Sequence, residues 1–268
     1  MENFTQKVIV ITGGSDGIGK ALVEAFLKLG AKVATCGRNY DKLYQLQSSH
    51  TGMPLLIHTA DVSNEQECIN FIHTVVKNFG TIDILINNAG VSMRSLFEDV
   101  EIEALRKVVD VNLWGTVNCT KYALPYILKS KGSIVGISSI AGFRGLPGRT
   151  GYSASKFAVN GFLEALRTEL LHSGVNVMWI CPGFTASNIR RAALNYKGQA
   201  HGETSMDEGK MMSAEDCATH IIKAIYKRKR TLILTNTGKK TVWLNKFLPA
   251  LADKFTYNYF FKNGKLFK

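Results

Sequence analysis

Short apolar runs alternate along this chain with longer segments of helical period. The runs are Val8–Thr12, Lys32–Cys36, Pro54–Thr59, Ile84–Ile86, Ser133–Ile137, Asn176–Ile180 and Thr231–Leu234. They are rich in Val and Ile and have no polar face. Between them lie Gly17–Leu29, Glu65–Phe79, Glu101–Leu128, Gly151–Leu171 and Ser213–Tyr226. A strand apolar on both faces must be covered on both, and parallel neighbours need a crossover that a helix supplies. The alternation predicts an α/β fold: one doubly wound domain over residues 1–238, with a parallel seven-stranded sheet flanked by helices. Residues 239–268 are expected to form a basic, amphipathic, helical C-terminal appendage. A hydrophobic content of 46% suits a sizeable core and, with 20% charged residues, excludes a disordered chain.

The first run leads directly into Thr12-Gly-Gly-Ser-Asp-Gly-Ile-Gly19 and then a helix. Glycines there let the backbone approach a pyrophosphate, which rests on the N–H groups of the helix N-terminus. The key positions are Gly13, Gly17 and Gly19. An acid at the end of the second run would take the ribose hydroxyls of NAD. The chain has Thr35-Cys-Gly-Arg-Asn39 instead, and Arg38 offers a planar fork for a 2′-phosphate. NADP(H) is therefore favoured over NAD(H). Asp41 is expected to cap the following helix, and the plain alternative for Arg38 is an exposed charge.

Tyr152 and Lys156 stand four residues apart, on one face of the helix expected around them. A free phenol titrates near ~10, so proton transfer at neutral pH needs a drop worth about 4 kcal/mol. A cation ~4 Å away at an effective dielectric of ~20 supplies about that much.

Together these motifs resemble the short-chain dehydrogenase/reductase family, in family order from about residue 5 to residue 235. The glycine turn is similar to the family's Thr-Gly-x-x-x-Gly-x-Gly, which implies that Gly13, Ser15, Asp16, Gly17, Ile18 and Gly19 hold the cofactor. Asp61 and Val62 resemble the adenine-contacting pair. Asn87-Asn-Ala-Gly90 implies contacts from Asn88, Ala89 and Gly90. Pro182, Gly183 and Thr185 resemble the residues at the nicotinamide end. The catalytic four by resemblance are Asn112, Ser139, Tyr152 and Lys156. Tyr152 exchanges the proton with the substrate oxygen, and Ser139 hydrogen-bonds that oxygen. Lys156 tunes the phenol and holds the nicotinamide ribose. Asn112 anchors a water that links Lys156 to solvent. The plain alternatives are a capping Ser139 and an Asn112 bonded to nearby backbone.

The expected activity is hydride transfer between NADP(H) and a carbonyl or secondary alcohol. Gly142–Tyr152 is similar to the branch that contains hydroxysteroid dehydrogenases and ketosphinganine reductases, which implies a lipid-like substrate. A catalytically silent NADP(H)-binding sensor or scaffold is the alternative, and the intact catalytic four argue against it. The resemblance also implies a homodimer or homotetramer built on the helices carrying Asn112 and Tyr152. Trp114, Phe157, Phe162 and Leu166 are expected in the core or at that interface. Residues 185–212, following Pro182-Gly183, are loosely apolar and sit where a substrate lid is expected.

The net charge of +12 is uneven: residues 223–268 hold 12 of the 33 Lys and Arg but only Asp253 of the 21 acids. In the tail, Trp243, Leu244, Phe247, Leu248, Leu251 and Phe255 recur near helical spacing, with lysines between them and Pro249 able to kink or restart the helix. Such a stripe suits a helix on an anionic membrane surface, or one packed on its own domain or a sister subunit. No nucleic-acid module accompanies the charge, so no nucleic-acid partner is expected. The five cysteines and six histidines lack metal-ligand spacing, so no metal is expected. The first run begins too early to leave room for a signal peptide, and a cytoplasmic protein, peripheral at a membrane through its tail, is the expected location.

Overall fold

Along β1 (Val8–Thr12) the side chains alternate between two separate cores: Val8 and Val10 join one, Ile9 and Ile11 the other. That is why the run has no polar face. The computed structural model describes residues 3–202, 209 and 211–267. Around β1 lie β2 (Lys32–Gly37), β3 (Leu55–Thr59), β4 (Ile84–Asn87), β5 (Ser133–Ile137), β6 (Asn176–Cys181) and β7 (Thr231–Ile233). All pair in parallel, in the order β3-β2-β1-β4-β5-β6-β7. The order reverses between β1 and β4, which opens a crevice beyond their carboxyl ends.

Helices α1 (Gly17–Lys28) and α7 (Ala214–Tyr226) cover one face. The other is covered by α3 (Glu65–Phe79), α4 (Ile102–Val109), α5 (Gly115–Ser130) and α6 (Thr150–Glu169). A short α2 (Tyr40–Ser48) follows β2. Its N-cap is Asn39, whose side chain accepts from Lys42 N, so Asp41 does not cap it. Asp41 lies inside the first turn, where a carboxylate complements the helix dipole.

The segment Glu101–Leu128 is not one regular helix. Between α4 and α5 the chain makes a π turn, Asp110–Trp114, closed by a bond from Gly115 N to Asp110 O. The apolar pattern crosses this turn unbroken, so periodicity does not reveal it. The turn contains Asn112. Of the four apolar residues expected in the core or at an interface, Leu166 is buried and Phe162 half-buried, while Trp114 (52%) and Phe157 (46%) face outward in the single chain.

The lid segment is better anchored than its composition suggests. Ala193 and Leu194 are buried, Leu194 bridges to Met93, and Thr185 bridges to Met212. Residues 203–208 and 210 of that segment lie outside the described residues.

The appendage consists of α8 (Asn236–Phe247), α9 (Pro249–Phe260) and a hairpin of β8 (Phe261–Lys262) with β9 (Lys265–Leu266). Pro249 restarts the helix at its first turn, where its missing N–H is harmless. The appendage packs on the loop before α6. Arg144 donates to Asn245 Oδ1 (2.9 Å) and Asp253 Oδ1 (2.6 Å), and Asn245 Nδ2 donates to Phe143 O (2.8 Å). Leu266 lies against Gly148, Arg94 donates to Phe267 O (2.8 Å), and Phe260 is buried. The aromatic stripe is only partly used: Trp243 and Phe247 (each 57%), Leu248, Leu251 and Phe255 remain exposed.

Candidate active site

A cavity of about 940 Å³ occupies the crevice, within the range of ligand pockets. One end is formed by the glycine turn. Gly13 and Gly17 adopt positive φ (69° and 52°), a region that side-chain-bearing residues rarely enter. A Cβ on Gly19 would run into Gly13 O and Asn88 Nδ2. The turn is tied to the end of β4 by Thr12: its Oγ1 accepts from Asn88 N (3.0 Å) and Ala89 N (2.9 Å). Asn88 Nδ2 donates back to Thr12 O (2.9 Å) and Gly13 O (3.1 Å). Asp16 caps α1 and accepts from Gly17 N (2.8 Å). Burial would raise its carboxyl, but Asn188 and Lys42, each 2.9 Å from Oδ2, help hold it below the usual range. Ser15 and Ile18 complete this wall.

Beside it, Arg38, Asn39, Lys42 and Asp61 line the end of β2 and β3. Arg38 lies 3.9 Å from Asp61 Oδ2. Asp61 is fixed by Ser63, whose N and Oγ donate to Oδ1, and by Glu67, which accepts from its backbone N. Val62 packs on Gly115, which has no room for a side chain. Toward the far end come Asn88, Ala89 and Gly90, then Pro182, Gly183 and Thr185. A crevice lined with the bare backbone of the glycine turn, with Arg38 and Lys42 beside it, is what a phosphate-bearing dinucleotide needs, so the residues present fit that group.

Ser139, Tyr152 and Lys156 stand together beyond it. Lys156 Nζ donates to Ile137 O (2.8 Å) and lies 5.7 Å from the centre of the Tyr152 ring. Burial pushes Lys156 down to about 8. Burial pushes the Tyr152 phenol up, against a hydrogen bond with Ser139 and the charge of Arg149. Arg149 thus acts on the phenol from the other side of the site to Lys156, which is the cation expected to lower it. Ser139 also accepts from Ala141 N (3.1 Å), so it caps the turn Ile140–Gly142 while reaching the phenol.

Asn112 stands outside the cavity lining. Its Oδ1 accepts from Val91 N (2.8 Å), and its Nδ2 donates to Val91 O (3.0 Å) and Ser155 Oγ (2.9 Å). It therefore ties the loop after β4 to α6, and a Cβ on Gly90 would lie 3.0 Å from its Oδ1 and 3.5 Å from Lys156 Nζ. Sequence reasoning passed over Arg149, three residues before Tyr152, and over Tyr259 and Phe260; it gave Phe255 to the tail's apolar stripe, and with these two Phe255 also brings the appendage to the cavity. The signal for Arg149 was an arginine without an acid nearby in the stretch leading to Tyr152.

The family model described as short chain dehydrogenase matches residues 7–197. The chain belongs to the short-chain dehydrogenase/reductase family. It is 34% identical over 265 residues to 11-beta-hydroxysteroid dehydrogenase A of Arachis hypogaea, covering 94% of this chain and 75% of that protein. It is 32% identical over 253 residues to dehydrogenase/reductase SDR family member 7B of Mus musculus, covering 91% and 78%. Among solved structures, a short-chain dehydrogenase/reductase of Burkholderia phymatum in complex with NAD superposes with a TM-score of 0.84 at 24% identity, over 94% of this chain and 96% of that one. An alcohol dehydrogenase of Thermococcus sibiricus complexed with 5-hydroxy-NADP gives 0.74 at 24%, over 85% and 96%. At those identities the likeness is one of fold. Family membership makes this short-chain dehydrogenase/reductase a pyridine-nucleotide oxidoreductase of hydroxyl and carbonyl groups, in the hydroxysteroid dehydrogenase branch.

Proposed function

We propose that the protein interconverts a carbonyl and a secondary alcohol of a lipid-like molecule with NADP(H), with Tyr152 as the acid and base. The observation that carries this reading is the meeting of Tyr152, Ser139 and Lys156 at one end of the cavity whose other end is the glycine turn. A bound nicotinamide supplies or accepts the hydride. Burial raises the phenol, which favours its protonated form, the one that donates to a carbonyl oxygen. Ser139 Oγ hydrogen-bonds the same oxygen as negative charge builds there. Lys156, at about 8, exchanges protons readily near neutral pH and so serves to recharge Tyr152. Asn112 is a positioning residue, through Val91 and Ser155. The walls of Leu146, Phe184, Tyr259 and Phe260 suit an apolar substrate body.

The preference for NADP(H) rests on the basic corner of Arg38 and Lys42 and on the lack of an acid at the end of β2. A charge-assisted contact to a 2′-phosphate is worth about 1.5–3 kcal/mol, or roughly 10–100-fold. Arg38→Ala is therefore expected to weaken NADPH binding by about that factor and leave NADH within about twofold. Fluorescence titration reads both; equal losses for the two cofactors would refute the preference. A panel of long-chain and steroid ketones and alcohols then tests the lipid-like class.

The exposed stripe of α8 and α9 supports peripheral contact with an anionic bilayer. Trp243, Phe247, Leu248, Leu251 and Phe255 face outward, with Lys239, Lys240, Lys246 and Lys254 among them. Aromatic side chains settle at the bilayer interface and lysines near anionic headgroups. The double variant Trp243→Glu/Phe247→Glu is expected to lose co-sedimentation with phosphatidylserine vesicles, and binding equal to that of the unaltered protein would refute the contact. Outward-facing Trp114 and Phe157 support a homo-oligomer built on α5 and α6. Light scattering checks its mass, and a monomer at micromolar concentration would rule it out.

A further inference from the structure

The substrate end of the cavity carries more positive charge than a neutral carbonyl compound calls for. Arg149 and Arg190 line it, and Arg94 lies close enough to act on Arg149. Among the described residues, the acids lining the cavity are Asp16 and Asp61. Both belong to the cofactor end and are engaged by Lys42 and Arg38. Arg190 donates to Thr185 O (3.0 Å) and Arg94 to Phe267 O (2.8 Å). Of the three, Arg149 directly precedes the helix turn that carries Tyr152. Its Nε is buried without a hydrogen-bond partner among the described residues, and its guanidinium sits 5.8 Å over the ring of Phe260. A guanidinium presents five donors in a fixed fork, and leaving donors buried and unmade is costly. Burial presses the pKa of this one downward; Arg190 and Arg94 add to that, and Tyr152 and Tyr259 oppose it. An anion beside it would relieve burial and repulsion together.

We propose that Arg149 is a specificity-determining residue that binds an anionic group of the substrate, and that the substrate class is an apolar oxo acid or the matching hydroxy acid. A carboxylate matches the fork with two parallel hydrogen bonds, while Leu146, Phe184 and Phe260 hold the apolar body. Arg149 precedes α6 by one residue and Tyr152 lies in its first turn, so both act on the same bound molecule. The inference rests on the reading of Tyr152 as the acid and base, and it adds the charge that the substrate must carry.

The test compares oxo fatty acids with their primary amides, which keep the carbon skeleton and lack the charge. Full-length enzyme with NADPH is assayed over a series that moves the carbonyl along the chain. For the best member, kcat/KM is expected to favour the acid by about tenfold or more. Charged hydrogen bonds of this kind are worth roughly 10–100-fold, so Arg149→Gln should lower the acid-to-amide ratio of kcat/KM by about that factor, any loss through Tyr152 being common to both substrates. Arg149→Lys should keep part of the preference. An effect through Tyr152 or through the packing of Phe260 would lower acid and amide together, so an unchanged acid-to-amide ratio in Arg149→Gln overturns the proposal. Reduction of neutral steroid ketones without turnover of any acid also overturns it, while sustaining the role of Tyr152. Inactivity toward every carbonyl compound, with NADPH bound, overturns the oxidoreductase site and this inference with it.

Discussion

Tyr152→Phe is expected to lower kcat by about 10³-fold or more while leaving NADPH affinity within about twofold. Positioned acid–base groups contribute roughly 10²–10⁴-fold, and no other described side chain is placed to take over the proton. Lys156 is the nearest rival, but its ammonium is turned to Ile137 O, 2.8 Å away. The substitution removes one oxygen and keeps the ring, so the buried position stays filled. Ser139 loses its phenolic partner yet keeps the bond from Ala141 N, so the loop after β5 should hold its shape. Steady-state rates with the best ketone and a fluorescence titration of NADPH separate chemistry from binding. Turnover within tenfold of the unaltered enzyme would remove Tyr152 from the mechanism.

The second large effect belongs to Gly19. Gly19→Ala is expected to weaken NADPH binding by about 100-fold or more and to cost about 1–3 kcal/mol of stability, the usual range for overpacking. The added methyl meets Gly13 O and the Nδ2 of Asn88, the same amide that donates to Thr12 O and Gly13 O. Those groups cannot yield without opening the bond pattern that ties the turn to β4. Gly145→Ala provides the control, since nothing lies within 4 Å of a Cβ there. Thermal melts and cofactor titrations of the two variants should diverge clearly. A Gly19→Ala protein that melts and binds like the Gly145→Ala protein would show that the turn has slack the structure does not provide.

The strands were legible to within a residue or so because a buried parallel strand leaves no freedom in composition. In β1 and β5 every residue is buried, and apart from Thr12 and Ser133 at their ends the sequence is apolar there. The glycine turn and the pair Tyr152–Lys156 were legible for a related reason: their chemistry requires fixed residue types at fixed spacings. The π turn around Asn112 was hidden because one extra residue in a helix leaves the apolar pattern readable on both sides. Arg149 was hidden because its significance comes from partners far away in sequence, Phe260 and Arg94, which no local pattern announces. The appendage was half legible. Its stripe and the restart at Pro249 show in the sequence, but the Arg144 clasp on Asn245 and Asp253 joins residues about a hundred positions apart.

That clasp ties two properties to one short stretch of chain. On α9, Phe260 is buried against Arg149, while Tyr257 faces outward. If the tail takes part in both the proposed substrate site and the proposed surface contact, an insertion or loss within residues 236–267 would alter both in a single event. Relatives that diverge there should differ in what they convert and in where they settle, even with an unchanged catalytic centre. Grafting this stretch from one relative onto another would move the two traits as a unit.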